Sequence, residues 1–319
     1  MMIQFKLKLK AGNHHRSYCP VAFRVKKSLP QVKGRSLSNV QLHEENGPSI
    51  AVQCVEEDEA YVLHWIVKSL SAHETVTYTV SAGGLDRSPY KAIQLIEDKN
   101  KLNYVIDGQL SASFVYDRML AKPYLGPVID PNGDSYTRLD FNTKEHPHHR
   151  SIWLGIGAVN GVDTWNEPAD RYGKQIVEEI ERKIAGPAFA SISSKGRWTS
   201  FKGTPLLTES RTMTIYHTPA QARIIDVTLT LSANYGSVEL GATKEAGPLG
   251  IRVAESMSVN NGGTMTNAHG SIGEEECWGK RAEWCDYYGT VATKYLASPP
   301  LIILKTLIFR PTGIFVTMG

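Results

Sequence analysis

Apolar and polar residues alternate along most of this chain with the two-residue period that is typical of β-strands. In the first 85 residues the alternation predicts four strands: Ile3–Leu9, Ala51–Val55, Tyr61–Val67 and Thr75–Val80. The glycine pair Gly83-Gly84 ends this run, and a pair of glycines is a common end of a structured segment. We therefore predict a small immunoglobulin-like β domain at residues 1–87.

Short strands and turns continue from residue 92 onward. The predicted strands there are Leu102–Ile106, Ser111–Tyr116, Ile152–Ile156, Thr212–His217, Arg223–Ala233 and Gly250–Val253. Pro131 to Asp134 form a strong turn signal. Only Gln175–Ile184 is ambiguous, since its Val-Glu-Glu-Ile-Glu pattern suits an exposed strand as well as a helix. We predict an all-β protein in which residues 88–319 form a large sandwich or barrel.

Composition and charge narrow the class of partner. The 319 residues are 41% apolar and 21% charged, which is ordinary for a globular protein. A net charge of +3 leaves no footprint for nucleic acid, and the basic stretch from Lys6 to Arg16 alternates with apolar residues as a solvated strand face does. No apolar run approaches the roughly 20 residues that span a bilayer. We expect no nucleic-acid partner and no membrane partner.

The chain ends and the cysteines add two expectations. The first residues, Met-Met-Ile-Gln-Phe-Lys, lack the apolar core of a signal peptide, so we expect a cytoplasmic protein. The four cysteines contain no Cys-x-x-Cys pair, which argues against a zinc ribbon or a disulfide scaffold. We expect buried free thiols at Cys19, Cys54, Cys277 and Cys285.

The densest polar stretch is Asn142 to Arg150, just before an apolar strand. Pro147 fixes a bend there, so the neighbouring histidines need not alternate as they would on a regular strand. Imidazole titrates near pH 6.5, which suits general acid–base catalysis, and an arginine can hold an anion or a sugar hydroxyl. We predict catalytic roles for His146, His148 and His149 and substrate binding by Arg150. The alternative is a hydrogen-bonded loop that locks the entry to the strand.

A metal site is a second interpretation of the same stretch. His146 and His148 bring two ligands together, and Glu145 would complete a triad. A His-x-His pair without a third, well-spaced ligand is a weak pattern, so the sequence leaves metal binding open. No cofactor is predicted.

Three further segments hold polar and aromatic residues together. Trp165 beside Asn166 and Glu167, after the Asn160-Gly161 turn, suits a sugar ring stacked on an aromatic face, or else a core tryptophan with an acidic loop. A glycine-rich loop holds Glu245 near two cations, where a carboxylate stays ionised and serves as a base or as the centre of an ion-pair network. The aromatics of residues 277–289 could line a cleft or form a packed corner. We predict Glu245 as catalytic, and as substrate-binding Asn160, Trp165, Lys244, Arg252, His269, Trp284 and Asp286.

Four motifs in this order resemble the PmoA-like family of β proteins over about residues 88 to 290. They are His146-Pro-His-His-Arg150, Val159-Asn-Gly-Val-Asp-Thr-Trp165, Thr243-Lys-Glu245 with Gly250-Ile-Arg252, and Trp278-Gly-Lys with Trp284-Cys-Asp-Tyr-Tyr-Gly289. The family is similar to galactose-mutarotase-type β-sandwiches, whose sugar site uses His and Glu as acid and base. The resemblance implies a large galactose-mutarotase-like sandwich with a carbohydrate role. Members are often labelled methane oxygenases, yet this chain shows no feature of a membrane copper monooxygenase.

The tail departs from the family pattern after about residue 291. The family continues to a segment like Pro-Thr-x-Trp-His-x-Arg-x-Tyr-Gly, whereas Leu301 to Gly319 is mostly apolar. Codons built from the last base of each tail codon and the first two of the next let Phe309–Gly319 read Pro-Thr-Tyr-Trp-His-Phe-Arg-Asp-Tyr-Gly. We hypothesise a one-base frameshift upstream of Ile302, which makes the chain from about residue 292 aberrant. Re-reading the gene tests this, and a sequence without a nearby in-frame alternative rules it out.

The leading prediction is an enzyme acting on a sugar or glycoside, with a small-molecule or oligosaccharide ligand. A histidine of the 146–149 segment would be acid or base, Glu245 its partner, and Arg150 and Arg252 would hold substrate oxygens. The alternatives are a non-catalytic carbohydrate-binding protein and a metal-dependent enzyme using His146 and His148. Convergence of His148, Glu245 and Arg252 in one cleft would favour the acid–base enzyme, while polar groups dispersed beneath an aromatic strip would favour binding.

Overall fold

The structure, a computed structural model, shows a protein built almost entirely from β-strands, as the alternation of its sequence predicts. The structure describes residues 3–45, 47–83, 90–130, 132–142, 144–169, 171–219, 221, 223–245 and 247–291, and the backbone of 301–305. Within these ranges it forms strands β1 to β20, and Glu274–Cys277 is the single α-helix. The all-β prediction is confirmed. No helix among the described residues is both long and apolar enough to cross a membrane.

Seven strands form two small sheets at the start of the chain. They are β1 (Ile3–Lys10), β2 (Arg16–Lys26), β3 (Gln41–Glu44), β4 (Ser49–Ile50), β5 (Val52–Glu56), β6 (Ala60–Leu70) and β7 (Thr75–Ala82), in the orders β1-β7-β3-β4 and β2-β6-β5. In β1, Ile3 and Leu7 are buried while Lys6 and Lys8 are exposed, so the sequence alternation is the burial pattern itself. All four strands predicted here are observed. The strand β2 was not predicted, because its burial does not alternate.

Two larger sheets pack on each other in the rest of the chain. Their strands are β8 (Gln94–Asp98), β9 (Lys101–Ile106), β10 (Gln109–Val115), β11 (Tyr124–Val128), β12 (Ile152–Leu154), β13 (Lys174–Ala185), β14 (Phe189–Thr199), β15 (Pro205–Tyr216), β16 (Ile225–Ser232) and β17 (Leu249–Ile251). The first sheet has the strand order β17-β12-β11-β10-β9-β8, and the second has the order β13-β14-β15-β16. Leu102 and Phe114 of the first sheet pack in one core with Ile192 and Ile215 of the second. Burying each such side chain stabilises the folded state by about 1.5–3 kcal/mol. The two packed sheets form a β-sandwich.

The ambiguous segment 175–184 is a strand, β13, at the edge of its sheet. Its only neighbour in the sheet order is β14, and beyond Val177 its side chains are mostly exposed. Glu178 forms an ion pair with Arg197 at 3.2 Å on the neighbouring strand. Charged side chains on an edge strand discourage pairing with other molecules, which explains the polar composition that resembled a helix.

The strand β14 was not predicted, although it is central in its sheet. Its burial hardly alternates, because most of its side chains are buried on both faces, and many are alanine or serine. Such small residues give no strong hydrophobic period. The turn predicted around Asn132 is present, since Asp130 Oδ1 accepts hydrogen bonds from the amides of Asn132 (2.7 Å) and Asp134 (2.9 Å). Pro131 lies outside the described residues.

A further three-stranded sheet, the fifth among the described residues, contains β18 (Thr264–Asn267), β19 (Trp284–Tyr288) and β20 (Leu301–Lys305). The backbone of β20 pairs antiparallel with β19, Ile303 opposite Asp286. Residues 292–300 and 306–319 lie outside the described residues. The frameshift hypothesis therefore stays a prediction.

The hydrophobic cores divide along the chain. One core is built from residues between Ile3 and Ala82, and the others are built from residues between Ile93 and Val291. The predicted boundary at residue 87 lies outside the described residues. All four cysteines are free, as predicted, but only Cys277 is buried, so the prediction of buried thiols was wrong for the half-buried Cys19, Cys54 and Cys285.

Candidate functional site

The histidine segment forms a tight turn ahead of β12. The amide of His149 donates to the carbonyl of His146 at 3.0 Å, and Pro147 occupies the second position of the turn, where its fixed φ is favourable. The buried Arg138 holds this loop, because its guanidinium donates to the carbonyls of Glu145 (2.9 Å) and His146 (3.3 Å). The bend predicted from Pro147 is therefore present, and hydrogen bonds from Arg138 stabilise it.

The rings of this turn stack in a defined order. His149 stacks on His146 at 4.6 Å between centroids and on Trp153 at 4.8 Å, with interplanar angles of 16° and 24°. Trp153 lies opposite Gly250 of the neighbouring strand β17, where an added Cβ would come within 2.5 Å of the indole. The glycine leaves the space that the indole occupies. His149 is thus packed between two rings, and His148 meets it edge-on at 4.5 Å.

A second loop brings Trp165 and Asn166 to the same place. Asp163 Oδ1 accepts hydrogen bonds from the amides of Trp165 and Asn166, both at 2.9 Å, and its Oδ2 accepts one from Asn166 Nδ2 at 2.9 Å. Aspartate side chains stabilise turns in this way. Asn166 Nδ2 also lies 3.4 Å from Glu245 Oε1, so the loop reaches the segment that carries the predicted catalytic carboxylate.

Glu167 connects the two loops through a partly buried ion network. Arg150 donates to both of its carboxylate oxygens, at 3.1 and 2.8 Å, which is the bidentate geometry that gives the strongest pairs. Lys122, whose side chain is 1% exposed, lies 3.4 Å from the same carboxylate and donates to the carbonyl of Trp165. Burial lowers the pKa of Lys122 to about 8, against the opposing charge of Glu167. Arg150, predicted to bind substrate, is thus engaged in a structural pair.

These loops enclose a cleft of about 230 Å³. It is lined by His146, His148, His149, Trp165, Asn166, Lys244, Glu245 and Trp278. The Glu245 side chain is 11% exposed, and the Lys244 ammonium lies 3.9 Å from it with 83% of its side chain exposed. Trp278 is 67% exposed. The described lining of the cleft therefore combines imidazoles, one carboxylate and two indoles.

The cleft keeps two of its imidazoles neutral at pH 7. The pKa of His148 is lowered to about 4, first by burial and then by the charges of Lys122 and His146. The pKa of His149 is lowered to about 3, first by burial and then by His148 and His146. The Nε2 atom of His148 is buried, and no group in the described ranges hydrogen-bonds to it. His148 also lines the cleft, although this nitrogen is itself closed to solvent.

Two residues predicted to bind substrate have structural partners instead of lining the cleft. Arg252 Nη2 contacts both carboxylate oxygens of Glu145 at 2.9 Å, and this hydrogen bonding lowers the pKa of Glu145. Asn160 accepts from the amide of Glu239 at 2.7 Å and donates to the carbonyl of Ser237 at 3.3 Å. It closes a turn, as its φ of 49° suits an asparagine.

Three more predicted residues lie on the sheet of β18, β19 and β20 or in the turn after β18, and are not among the residues that line the cleft. His269 Nε2 is 3.4 Å from Glu283, with both side chains mostly exposed. Trp284 and Asp286 lie on β19, and burial raises the pKa of Asp286. Of the three residues whose convergence would favour an acid–base enzyme, the cleft brings together His148 and Glu245, whereas Arg252 pairs with Glu145.

A metal centre receives little support from the described residues. No group of three or more His, Cys, Asp or Glu side chains among them has the geometry to hold a metal ion. The His146 and His148 rings lie 5.7 Å apart, and Glu145 Oε1 contacts His146 Nδ1 at 3.2 Å rather than pointing with both rings at one spot. The metal alternative stays a hypothesis.

Several residues of the site were not predicted from the sequence. Lys122 lies on a buried Ala-Lys-Pro segment, and nothing in the local pattern marks it as the partner of a loop 43 residues away. Arg138 is an isolated arginine in a turn-rich stretch. Asp163 is part of the Val-Asn-Gly-Val-Asp-Thr-Trp motif, and its position two residues before Trp165 is the signal that could have indicated its capping role.

Comparison with known proteins places the chain in a family without assigning it an activity. A family model described as a family of unknown function, DUF6807, matches residues 101–307, well over half of the chain. No curated protein matches the sequence. An alpha-mannosidase from Enterococcus faecalis V583 is a weak structural match, with a TM-score of 0.31 and 8% identity over 71% of this chain. The chain spans 30% of the mannosidase, and a likeness this low carries no argument about activity. By its sequence, the chain belongs to the DUF6807 family.

Proposed function

We propose that this protein is a carbohydrate-active enzyme that uses His148 and Glu245 for acid–base chemistry on a sugar or glycoside. The observation that carries the proposal is that both groups line one cleft together with the indoles of Trp165 and Trp278. The resemblance of the sequence motifs to the PmoA-like family points in the same direction, by analogy. The reaction itself, whether mutarotation, hydrolysis or elimination, is left open by this proposal.

The lining of the cleft matches the two sides of a sugar ring. A sugar presents an apolar face and an edge of hydroxyl groups, and an exposed indole such as Trp278, at 67% exposure, offers an apolar face in water. Glu245, Asn166 and His148 are hydrogen-bonding residues of the same lining. Binding sites typically combine a mainly apolar lining with a few placed polar groups.

The two titratable groups suit different roles. Within the described part of the chain, the Glu245 carboxylate has two long polar contacts, 3.4 Å to Asn166 Nδ2 and 3.9 Å to Lys244 Nζ, so it keeps lone pairs with which to accept a proton from a sugar hydroxyl. Because the pKa of His148 is lowered to about 4, its imidazole is neutral at pH 7 and can donate through one nitrogen and accept through the other. A neutral imidazole can stabilise an oxygen on which negative charge develops.

A non-catalytic carbohydrate-binding protein is the second candidate. The low pKa of His148 favours this candidate. General acid–base catalysis is most efficient when the pKa of the catalytic group lies near the working pH, and the pKa of His148 is lowered to about 4. In that case the same indoles and hydrogen-bonding groups bind a sugar without turnover.

Proton NMR of the full chain with a panel of mono- and oligosaccharides separates these candidates. We expect faster anomeric exchange or new product signals, reduced about 100-fold or more in Glu245→Gln and in His148→Asn. The matched controls are Glu239→Gln and His43→Asn, since both residues are exposed and outside the cleft lining. Sugar line-broadening without turnover would leave only the binding protein. The absence of any effect of any sugar would reject a carbohydrate role.

A further inference from the structure

The charged groups around the cleft pair with one another in the described structure. Lys122 and Arg150 share the carboxylate of Glu167. Arg252 pairs with Glu145 at 2.9 Å. The guanidinium groups that would form a fork for a carboxylate or a phosphate are therefore occupied by protein carboxylates. An anionic ligand would have to compete with these pairs.

Among the described residues, the lining of the cleft carries one positive and one negative side chain. Lys244 is the only lysine or arginine of this described lining, and Glu245 is its only aspartate or glutamate. The Lys244 side chain is 83% exposed, so water screens its charge, whereas Glu245 is 11% exposed. An anion in this cleft would meet a poorly screened carboxylate and would gain little from the solvated ammonium.

The remaining groups of the lining favour a ligand that is rich in hydroxyl groups. Glu245 accepts hydrogen bonds, and the side chains of Asn166 and His148 add neutral polar groups. The volume of about 230 Å³ lies below the roughly 300–1,000 Å³ of pockets that enclose drug-sized ligands. Space of this size suits a single ring rather than an extended chain.

We propose that the cleft binds one neutral sugar residue, with its hydroxyl groups on Glu245 and His148 and its apolar face on Trp278, and that the Glu245 carboxylate excludes uronic acids and sugar phosphates. This inference rests on the proposed function, because it names the substrate class of the same site. The Glu245 carboxylate would repel an anionic ligand, and repulsion of the wrong ligand is one of the two ways in which a binding site gains specificity.

The test compares neutral and anionic sugars that otherwise share their shape. Ligand-observed NMR or calorimetry on the full chain would use methyl glucoside against methyl glucuronide, methyl galactoside against methyl galacturonide, and glucose against glucose 6-phosphate. In each pair whose neutral sugar binds, we expect the anionic sugar to bind at least about 10-fold more weakly than the neutral one. Glu245→Gln removes the negative charge that repels an anionic sugar while keeping the shape of the side chain. It should therefore narrow the difference in affinity by making the anionic sugar bind more tightly. The control Glu239→Gln should leave the difference unchanged.

The outcomes separate this inference from the proposed function. Equal or tighter binding of the anionic sugars to the wild-type chain would overturn the inference and leave the carbohydrate proposal standing. Unchanged discrimination in a folded Glu245→Gln variant would overturn the role of the carboxylate. Binding of neither class would overturn the proposed function together with the inference. The wild-type comparison decides the substrate class even where a variant does not fold.

Discussion

Three imidazoles separated by at most three residues have different surroundings in this protein. His149 is stacked between His146 and Trp153, whereas His148 lines the cleft and meets His149 edge-on. Burial and nearby positive charge lower the pKa values of His148 and His149 to about 4 and 3. At the residue scale, therefore, His149 has the environment of a packing residue and His148 that of a ligand-contacting one.

These pKa values predict how stability depends on pH. In the unfolded chain a histidine titrates near pH 6.5. Between that pH and about 4 the unfolded chain binds protons that native His148 and His149 do not, so the free energy of unfolding should fall as the pH falls through this window. Urea unfolding at several pH values between 7 and 4 measures the slope. His148→Asn should make this slope shallower, and the matched control is His43→Asn, the same substitution at an exposed site. A slope that His148→Asn leaves unchanged would contradict the shift.

At the scale of elements, the site depends on loops that ion pairs hold together. The loop before β12 carries Arg150, and the loop before β13 carries Trp165 and Glu167. Lys122, ahead of β11, reaches both the Glu167 carboxylate and the Trp165 carbonyl. Desolvating such charges costs free energy that only a complete network offsets. One carboxylate therefore connects three segments around the cleft.

Removing that carboxylate should be strongly destabilising. Glu167→Ala leaves Arg150 and the buried Lys122 without their shared partner, and breaking a buried pair in this way costs about 3–5 kcal/mol, towards the lower end here because Glu167 is 18% exposed. Urea unfolding at pH 7 measures the loss. The control Glu178→Ala removes an ion pair at the surface, between side chains 42–45% exposed, and should cost less than about 1 kcal/mol. Equal losses in the two variants would show that the network does not hold the loops.

At the scale of the whole molecule, a buried glutamine connects the N-terminal sheets to the large sandwich. Gln53 of β5 is 6% exposed, and its Oε1 accepts hydrogen bonds from the amides of Ala188 (3.2 Å) and Phe189 (3.1 Å) at the start of β14. His64 of β6 packs edge-on against Phe189 at 4.7 Å. A buried amide without an acceptor is costly, so this side chain couples the two parts.

Replacing Gln53 tests that coupling. Gln53→Leu leaves two buried amides unpaired, and each unpaired donor costs about 1–3 kcal/mol, so we expect a loss of about 2 kcal/mol or more. Hydrogen exchange at Ala188 and Phe189 should accelerate, and urea unfolding should give the loss. Gln94→Leu, at an exposed position of β8, should change stability by less than about 0.5 kcal/mol. Unchanged exchange at the two amides would contradict the coupling.

What the sequence by itself determined is the part of the structure that depends on local periodicity. The two-residue alternation predicted β1, β7 and β9 because one face of each strand is more deeply buried, and burial then follows the side-chain period. The alternation could not find β14, whose small side chains are buried on both faces. The choice between helix and strand for β13 was made by pairing with β14, an interaction between strands rather than within one.

Only the tertiary structure decided which polar residues meet and which of them remain available to a ligand. The sequence placed His146, His148 and His149 together because they are neighbours in the chain. It could not show that Glu245 joins them, that Arg150 and Arg252 pair with Glu167 and Glu145, or that Lys122 is buried beneath the site. Partner, burial and pKa depend on contacts across tens of residues, and a local pattern carries no information about such contacts because folding brings distant segments together.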